Sequence, residues 1–300
     1  MDRVRELIRY RYKEPKNEIH VAVLDTGVSK HPDLSENIVT FVDCVSGRNY
    51  RYDDNGHGTH ICGILAGNGS GSQGKYRGVN PDVKLHVIKV LDYRGEGDIS
   101  HILKGLEWVQ QHYIHKKIKI INISMGTLPE VGKLEENKLL NKVEELWDAG
   151  LVVVTAAGNY GPKAGSITVP GVSGKVITVG AVDDYVYVDK KGIPRFHYSS
   201  RGPTKQNINK PNILAPGSYI KSCRFDWQSQ KGLPNYYTIK SGTSMATPVV
   251  SGAIAMLLQQ NEEMTNEDIK KRLEESCMDL GRPINEQGWG LLQIENMLKL

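Results

Sequence analysis

Short apolar runs recur along the chain and predict the strands of a buried sheet. Each run is rich in valine and isoleucine and is flanked by polar residues or glycine. Continuous apolar runs of this kind are typical of parallel strands that are covered on both faces. The predicted strands are residues 19–24, 84–90, 119–124, 151–157 and 176–182.

Longer segments with apolar residues at helical spacing separate or follow these strands. The predicted helices are residues 99–111, 134–149, 244–260 and 265–277. Residues 244–260 are small and apolar on every side, so we expect this helix to be buried at the centre of the molecule. Thr265 and Asp268 resemble a capping box that starts the last helix.

The alternation of strands and helices predicts an α/β fold, with a mostly parallel central sheet and helices on both of its faces. No internal repeat, low-complexity tract or linker divides the chain. The segments that carry candidate chemistry extend from residue 25 to residue 244 and must converge in space. We therefore expect one domain over residues 18–300, preceded by an N-terminal extension at residues 1–17.

Composition and charge narrow the classes of partner. The chain has 300 residues, of which 39% are hydrophobic, and this is enough to bury a sizeable core. The formal net charge is only +4, and the basic residues are scattered along the chain. The densest basic run, Lys116 to Lys119, is best explained as the solvated approach to a strand. This pattern argues against a nucleic-acid partner.

The chain also lacks the segments that direct a protein to a membrane. No apolar run approaches the ~20 residues of a membrane-spanning helix, so no membrane partner is expected. Residues 1–11 are charged and lack the apolar core of a secretory signal, which predicts a cytoplasmic protein and leaves a mature secreted form open. The four cysteines, Cys44, Cys62, Cys223 and Cys277, show neither a CxxC pair nor metal-ligand spacing. This favours reduced thiols, with one disulfide bond as the alternative.

Three glycine-containing segments each surround one residue type of a nucleophilic triad. Asp25 stands in Val-Leu-Asp-Thr-Gly, His57 in Asn-Gly-His-Gly-Thr-His, and Ser244 in Gly-Thr-Ser-Met-Ala-Thr-Pro. The chain order Asp, His, Ser is one of the known orders for this geometry. Asp25 ends a predicted strand, at the carboxyl edge where parallel sheets bind their ligands. An acid there can orient His57, which can then act as the base for Ser244.

Two other interpretations compete with this one. His60 lies three residues after His57, but the segment lacks the Glu of an HExxH zinc motif, and no third ligand is evident. We therefore expect no metal there and place His60 on a buried helix face.

An alternative role for Ser244 is that of a simple helix cap. The apolar helix that follows it, with the positive end of its dipole at Ser244, favours a nucleophile.

The chain resembles the subtilisin family of serine endopeptidases over residues 18–292. Beside the three segments above, the matching motifs are His31-Pro-Asp-Leu, Asn122-Ile-Ser-Met-Gly, Ala156-Ala-Gly-Asn159, Ser199-Ser-Arg-Gly-Pro and Leu214-Ala-Pro-Gly. Residues 74–79 and 199–203 are most similar to bacterial members found inside cells. The resemblance implies a subtilisin-like three-layer α/β fold and a protease that works through an acyl-enzyme.

The resemblance also implies a set of binding residues. Asn159 matches the side chain that, with the Ser244 amide, forms the family's oxyanion hole. The implied partner is a peptide or protein substrate that binds as an extended strand between two segments. The residues implied to contact it are Gly95, Glu96, Gly97, Ile99, Ser124, Met125, Gly126, Ala157, Gly158 and Thr168, with Thr168 near the base of the main pocket.

Two parts of the chain depart from the family pattern. Many secreted relatives bind calcium through an Asp that matches Asp33 and through the loop that corresponds to residues 67–78, which here lacks carboxylates. A structural calcium ion is therefore one alternative, without assigned ligands, and no cofactor is expected for the chemistry.

Only 24 residues precede Asp25, too few for a folded inhibitory propeptide. Residues 1–16 are a candidate inhibitory segment over the cleft, and a separate propeptide partner also stays open.

Two alternatives to a general peptidase remain. One is a catalytically silent, subtilisin-shaped binding or regulatory protein. Such proteins commonly lose one catalytic residue, whereas Asp25, His57, Ser244 and Asn159 are all present here. The other is a maturation protease dedicated to one precursor, which a narrow substrate profile would distinguish.

Overall fold

The centre of the fold is a parallel sheet, as the sequence predicts. The structure is a computed structural model that describes residues 1–129, 134–185, 187–188, 192–228 and 234–299. The strands of the sheet are β1 (His20–Asp25), β2 (Ile38–Asp43), β3 (Lys84–Lys89), β4 (Ile118–Ile123), β5 (Val152–Ala156), β6 (Ile177–Ala181) and β9 (Ile213–Ala215). Their order is β2-β3-β1-β4-β5-β6-β9, and all neighbouring pairs are parallel.

Helices cover the sheet on both faces and complete the α/β fold, which confirms the predicted class. They are α1 (Asp2–Leu7), α2 (His57–Ala66), α3 (Ile99–His112), α4 (Leu134–Asp148), α5 (Thr243–Gln260), α6 (Asn266–Ser276), α7 (Ile284–Gln287) and α8 (Ile294–Lys299). Short 3-10 turns lie at Pro32–Leu34 and Ser70–Ser72. α2 packs against α5, and α3 packs against α4. α5 is buried over nearly its whole length, because its small residues let it lie close to the sheet.

The five predicted strands and four predicted helices all form, within one residue of the expected ends. The capping box at the start of α6 is present, with Thr265 and Asp268 bonded reciprocally. The strands that the pattern misses are at the two edges of the sheet. β2 is mostly half-buried and includes polar residues, and β9 has only three residues. Neither therefore shows the long apolar run of a central strand.

Among the residues that the structure describes, two short antiparallel ribbons lie outside the sheet. One pairs β7 (Tyr187–Val188) with β8 (Pro194–Arg195), and the other pairs β10 (Ile220–Cys223) with β11 (Tyr237–Lys240). The second ribbon packs on α2, which carries His57 at its start. In the described part of the chain, no helix combines the length and the apolar composition needed to cross a membrane.

The N-terminal segment is part of the main core. Val4 of α1 and the following Ile8 are buried within the same cluster as the strand residues. The main chain of Ile294 donates to the carbonyl of Ile8 at 2.8 Å, so α8 lies beside the N-terminal segment. Arg3 forms an ion pair of 2.7 Å with the buried Asp183. These contacts fix the segment onto the body of the protein.

Candidate active site

The acid and the base predicted from sequence form a close pair. Asp25 is the last residue of β1 and is fully buried, and His57 is the first residue of α2. His57 Nδ1 lies 2.7 Å from Asp25 Oδ1. Because a carboxylate can only accept, Nδ1 carries the proton and Nε2 is left as the basic nitrogen. The His57 side chain is 23% exposed, so this nitrogen is open to a bound molecule.

Glycines allow the approach of α2 to β1. A Cβ atom on Gly58 would overlap the carbonyl oxygen of Gly27 and would lie 3.2 Å from the Asp25 Cβ. Gly56, which precedes the helix, has a φ of +92° in the left-handed region that favours glycine. Any larger residue at Gly58 would force His57 away from Asp25. The glycines that flank His57 are therefore required for the pair itself.

Ser244 and Asn159 meet at the start of α5. Ser244 is the second residue of that helix, so its main-chain N–H has no acceptor within the helix. Asn159 Oδ1 accepts hydrogen bonds from the nitrogen of Thr243 at 2.9 Å and from its hydroxyl at 3.1 Å. The Asn159 amide nitrogen consequently lies near Gly242, on the approach to Ser244. Two N–H donors, the Ser244 nitrogen and the Asn159 amide, thus lie at the start of α5.

His57, Asn159 and Ser244 line one cavity of about 770 Å³. Most of the binding residues implied by the resemblance also line it: Gly95, Glu96, Gly97, Ile99, Ser124, Met125, Gly126 and Gly158. Asp25 lies behind His57, out of contact with the cavity. The cavity therefore brings a base, a hydroxyl and two donors together with two glycine-containing segments.

Ala157 and Thr168 do not line the cavity, contrary to the expectation for both. Both are fully buried. Thr168 packs behind Gly126 and Gly158, where its side chain occupies the space that a Cβ on either glycine would need. Its hydroxyl donates to the carbonyl of Ala157 at 3.1 Å. Thr168 thus closes the cavity from behind without forming its surface.

Several cavity residues escape the sequence reasoning. They are Asn55, Leu91, Arg94, Ile102, Thr127, Leu139, Tyr160, Gly161, Val169, Pro170 and Arg195. Asn55 and Tyr160 adjoin predicted residues, and this adjacency is a signal that could have found them. Leu139 and Arg195 come from α4 and from the β7–β8 ribbon, and no local pattern indicates that they reach the site.

Residues 1–17 lie away from this cavity, since none of them lines it. The hypothesis that residues 1–16 cover the cleft is therefore wrong for this structure. The physical reason is the burial of Val4 and Ile8, which ties the segment to the core beside α8.

The environment of Asp33 does not fit a calcium ion. Its Oδ1 accepts from the main-chain nitrogen of Gly71 at 2.8 Å and the hydroxyl of Ser70 at 3.2 Å. Its Oδ2 accepts from the hydroxyl of Tyr237 at 2.8 Å. Calcium requires a shell of oxygen acceptors, whereas these neighbours are donors that already satisfy the carboxylate. The loop after α2 thus binds Asp33 directly.

Asp33 also belongs to a buried cluster with His31 and Cys223, whose potential ligand atoms lie within 4.8 Å of one another. The lone pair of His31 Nδ1 accepts from the Asp33 nitrogen at 3.1 Å, and its Nε2 donates to the carbonyl of Tyr236 at 2.8 Å. Burial raises the pKa of the Cys223 thiol well above its usual value. All four cysteines are free. Since the ring nitrogens and the carboxylate are occupied, we assign this cluster to packing.

The fold, with the Asp25–His57 pair beside a cavity that His57 and Ser244 line, is that of the subtilisin-like serine proteases. The chain belongs to the Subtilase family (Peptidase S8), whose profile matches residues 16–290. Members of this family need no cofactor for catalysis, and structural calcium is common among them.

Individual relatives agree with this assignment. Serine protease AprX of Bacillus subtilis (strain 168) is 42% identical over 265 residues, and the match covers 85% of this chain and 60% of AprX. Subtilisin Savinase of Lederbergia lenta is 35% identical over 279 residues, which cover 92% of this chain and 89% of Savinase. The solved structure of Sphericase aligns with a TM-score of 0.79 at 29% identity, over 97% of this chain and 96% of Sphericase.

Proposed function

We propose that this chain is a serine endopeptidase that hydrolyses peptide bonds through an acyl-enzyme. Ser244 attacks the carbonyl carbon of the substrate, and His57 Nε2 takes the hydroxyl proton. Asp25 holds the imidazole in the required tautomer through the 2.7 Å bond to Nδ1 and stabilises the imidazolium that forms. His57 returns the proton to the leaving amine, and water then releases the acyl group by the same steps. The observation that carries the proposal is the opening of Ser244, His57 and Asn159 onto one cavity.

The negative oxygen of the tetrahedral intermediate is proposed to bind between two N–H donors. One is the main-chain nitrogen of Ser244, and the other is the Asn159 side-chain nitrogen. Thr243 orients Asn159 because both of its donors bind the amide oxygen and leave the nitrogen for the intermediate. The N-terminus of α5 adds the positive end of the helix dipole at the same point.

The proposed substrate is a peptide or protein that binds in an extended form. Gly95 to Gly97 and Ser124 to Gly126 line the cavity and offer main-chain groups to an added strand. The side chain before the cleaved bond is proposed to enter the space lined by Met125, Gly126 and Gly158. Because Thr168 closes this space from behind, the proposal favours small and medium apolar side chains there. Residues 18–300 are proposed as the peptidase domain. An inhibitory propeptide that binds as a separate partner is compatible with the open cavity.

Labelling with a fluorophosphonate tests the enzyme proposal. The unaltered protein should react, and Ser244→Ala should not. Ser251→Ala is the matched control, because it removes a buried hydroxyl from the same helix at a residue that does not line the cavity, and it should leave labelling intact. Failure of the unaltered protein to react would favour the silent binding protein. A peptide library would then separate a general peptidase, with a broad profile, from a dedicated maturation enzyme, with a narrow one.

A further inference from the structure

Thr26, the residue after the proposed catalytic acid, makes one of the two hydrogen bonds that the described residues donate to the carboxylate of that acid. Its main-chain nitrogen donates to Asp25 Oδ1 at 2.7 Å, the same oxygen that His57 binds. Asp25 Oδ2 is buried and has no hydrogen-bond partner among the described residues. The orientation of the Asp25 carboxylate therefore depends on His57 and Thr26.

The hydroxyl of Thr26 links β1 to the first turn of α2. It donates to Asp53 Oδ1 at 2.9 Å and accepts from the nitrogen of Gly58 at 2.8 Å. Asp53 is buried and also accepts from the nitrogens of Gly56 at 2.8 Å and Thr59 at 2.9 Å. An anion at a helix N-terminus is favoured by the unpaired N–H groups there. The residues on both sides of His57 thus bind a carboxylate that also binds Thr26.

The carbonyl of Thr26 is bound by a buried cation. Lys89 is 1% exposed, and its Nζ donates to the carbonyl of Thr26 at 2.7 Å. The same Nζ donates to the Leu91 carbonyl at 2.8 Å and to Asp54 Oδ1 at 2.7 Å. Lys89 ends β3 directly opposite Asp25 in the β1–β3 register. Thr26 is consequently bound by an anion through its side chain and by a cation through its main chain.

We propose that Thr26 is a positioning residue for the proton transfer, and that Asp53 and Lys89 act through it to fix the Asp25–His57 pair. This inference rests on the proposed function. None of Thr26, Asp53 and Lys89 lines the cavity, so none of them is expected to affect substrate binding. A loss of the hydroxyl should let the first turn of α2 move relative to β1. A misplacement of about 1 Å in such a pair lowers a rate by about 10²-fold.

The test compares three substitutions of buried threonines. Thr26→Val removes the hydroxyl at nearly constant volume, and Thr26→Ser keeps it. Thr155→Val is the matched control, because Thr155 is also fully buried, on β5 of the same sheet, and its hydroxyl has no hydrogen-bond partner among the described residues. We expect Thr26→Val to lower kcat at least about tenfold with KM changed less than about twofold. Thr26→Ser and Thr155→Val should stay within about threefold of the unaltered enzyme.

Active-site titration makes this test independent of partial unfolding, since unfolded chains lower the number of titrated sites without changing kcat. Lys89→Met, which removes the donor to the Thr26 carbonyl, should give the same change in kcat if Thr26→Val does not fold. The low-field proton resonance of the His57 Nδ1–H, recorded in the Ser244→Ala background, should shift or broaden in Thr26→Val. An unchanged kcat and resonance in Thr26→Val, or equal losses in Thr26→Val and Thr26→Ser, would overturn the inference. Because the resonance needs no catalysis, it tests the positioning role even if the protease proposal fails.

Discussion

Asn159 Oδ1 accepts two hydrogen bonds from Thr243, one from the main-chain nitrogen and one from the hydroxyl. This relationship sets which way the amide faces, because the oxygen is committed to Thr243 and the nitrogen is left for a ligand. It also connects two segments that are 84 positions apart along the chain. The proposed oxyanion hole is therefore formed before any substrate binds.

Asn159→Asp tests this arrangement directly. The new carboxylate keeps an acceptor for Thr243 and replaces the donor with a group that repels a negative oxygen. We expect kcat to fall by about 10²–10³, a magnitude taken over from a subtilisin that lost this kind of donor, with little change in KM. Thr243→Val removes one of the two orienting bonds and should give a smaller loss of kcat. A rise in KM at constant kcat in Asn159→Asp would contradict the assignment.

Thr168 should control the size of the side chain accepted before the cleaved bond. Thr168→Gly empties space behind Gly126 and Gly158, so larger apolar side chains should fit. The ratio of kcat/KM for phenylalanine over alanine at that position should rise about tenfold, the effect expected for one or two methylene groups. Gly126→Ala should impair the enzyme by overlap with Thr168, and the double variant Gly126→Ala/Thr168→Gly should recover part of that loss. Independent effects of the two substitutions would show that Thr168 does not limit the size of the pocket.

Met245, which directly follows the proposed nucleophile, predicts sensitivity to peroxide. Its side chain is 2% exposed and its nitrogen bonds the carbonyl of Gly242 at 3.0 Å, so a polar sulfoxide would disturb the turn before Ser244. The unaltered enzyme should lose activity slowly in peroxide, and Met245→Ala should retain it. Met256→Ala, at a buried methionine farther along α5, is the control and should not protect. Equal rates of loss in all three proteins would exclude Met245.

Acid should weaken the fold through His60. Burial, followed by the charges of Lys240 and His57, lowers the pKa of His60 from 6.5 to about 3. Between pH 6.5 and pH 3, His60 is therefore protonated in the unfolded chain and neutral in the folded chain. The unfolding free energy has its full value above pH 6.5 and falls as the pH is lowered towards 3. Between pH 6.5 and pH 5 this amounts to about 2 kcal/mol of unfolding free energy.

Urea denaturation of His60→Gln at about pH 7.5 and about pH 5 measures this contribution. Glutamine can still bond the carbonyl of Ile220, which His60 Nε2 contacts at 3.1 Å. The variant should lose about 2 kcal/mol less than the unaltered chain on acidification. If both proteins lose the same amount, another group controls the acid response.

The hydrogen bonds around Asp33 predict that this part of the fold does not respond to calcium. Tyr237→Phe leaves one buried carboxylate oxygen without its tyrosine donor and should reduce the unfolding free energy by about 1–3 kcal/mol. The reduction should be the same in excess calcium and in excess chelator, measured by chemical denaturation. A loss that calcium restores would show that the ion can occupy the place of the tyrosine.

The elements that sequence reasoning predicts well are those whose cause is local. β1, β4 and β5 carry apolar runs because both of their faces are buried, and α5 is small and apolar because it is enclosed. The residues Asp25, His57 and Ser244 stand in short glycine-containing motifs, since the main chain must come close at each of them. In such cases the residues that must be apolar or small for the fold are the same few residues that form the recognisable sequence pattern.

The features that the sequence does not predict depend on contacts between distant segments of the chain. Asp33 finds its donors 38 and 204 positions away, at Gly71 and Tyr237, so no local pattern indicates whether it binds an ion or the protein. Arg195 reaches the cavity only because the β7–β8 ribbon folds towards it. The position of residues 1–16 likewise depends on burial beside α8, which the charged sequence of the segment does not suggest.

The contact between the N-terminal segment and α8 has a consequence for how the chain folds. Gln293 donates to the carbonyl of Leu7 at 3.0 Å across 286 positions, so this part of the core closes only after residue 293 has been synthesised. Until then Val4 and Ile8 have no complete apolar surface to bury against. Contacts of such long sequence separation are slow to form, because loop closure must come before any gain from packing. On a ribosome, the docking of α1 should therefore wait until α8 has been synthesised.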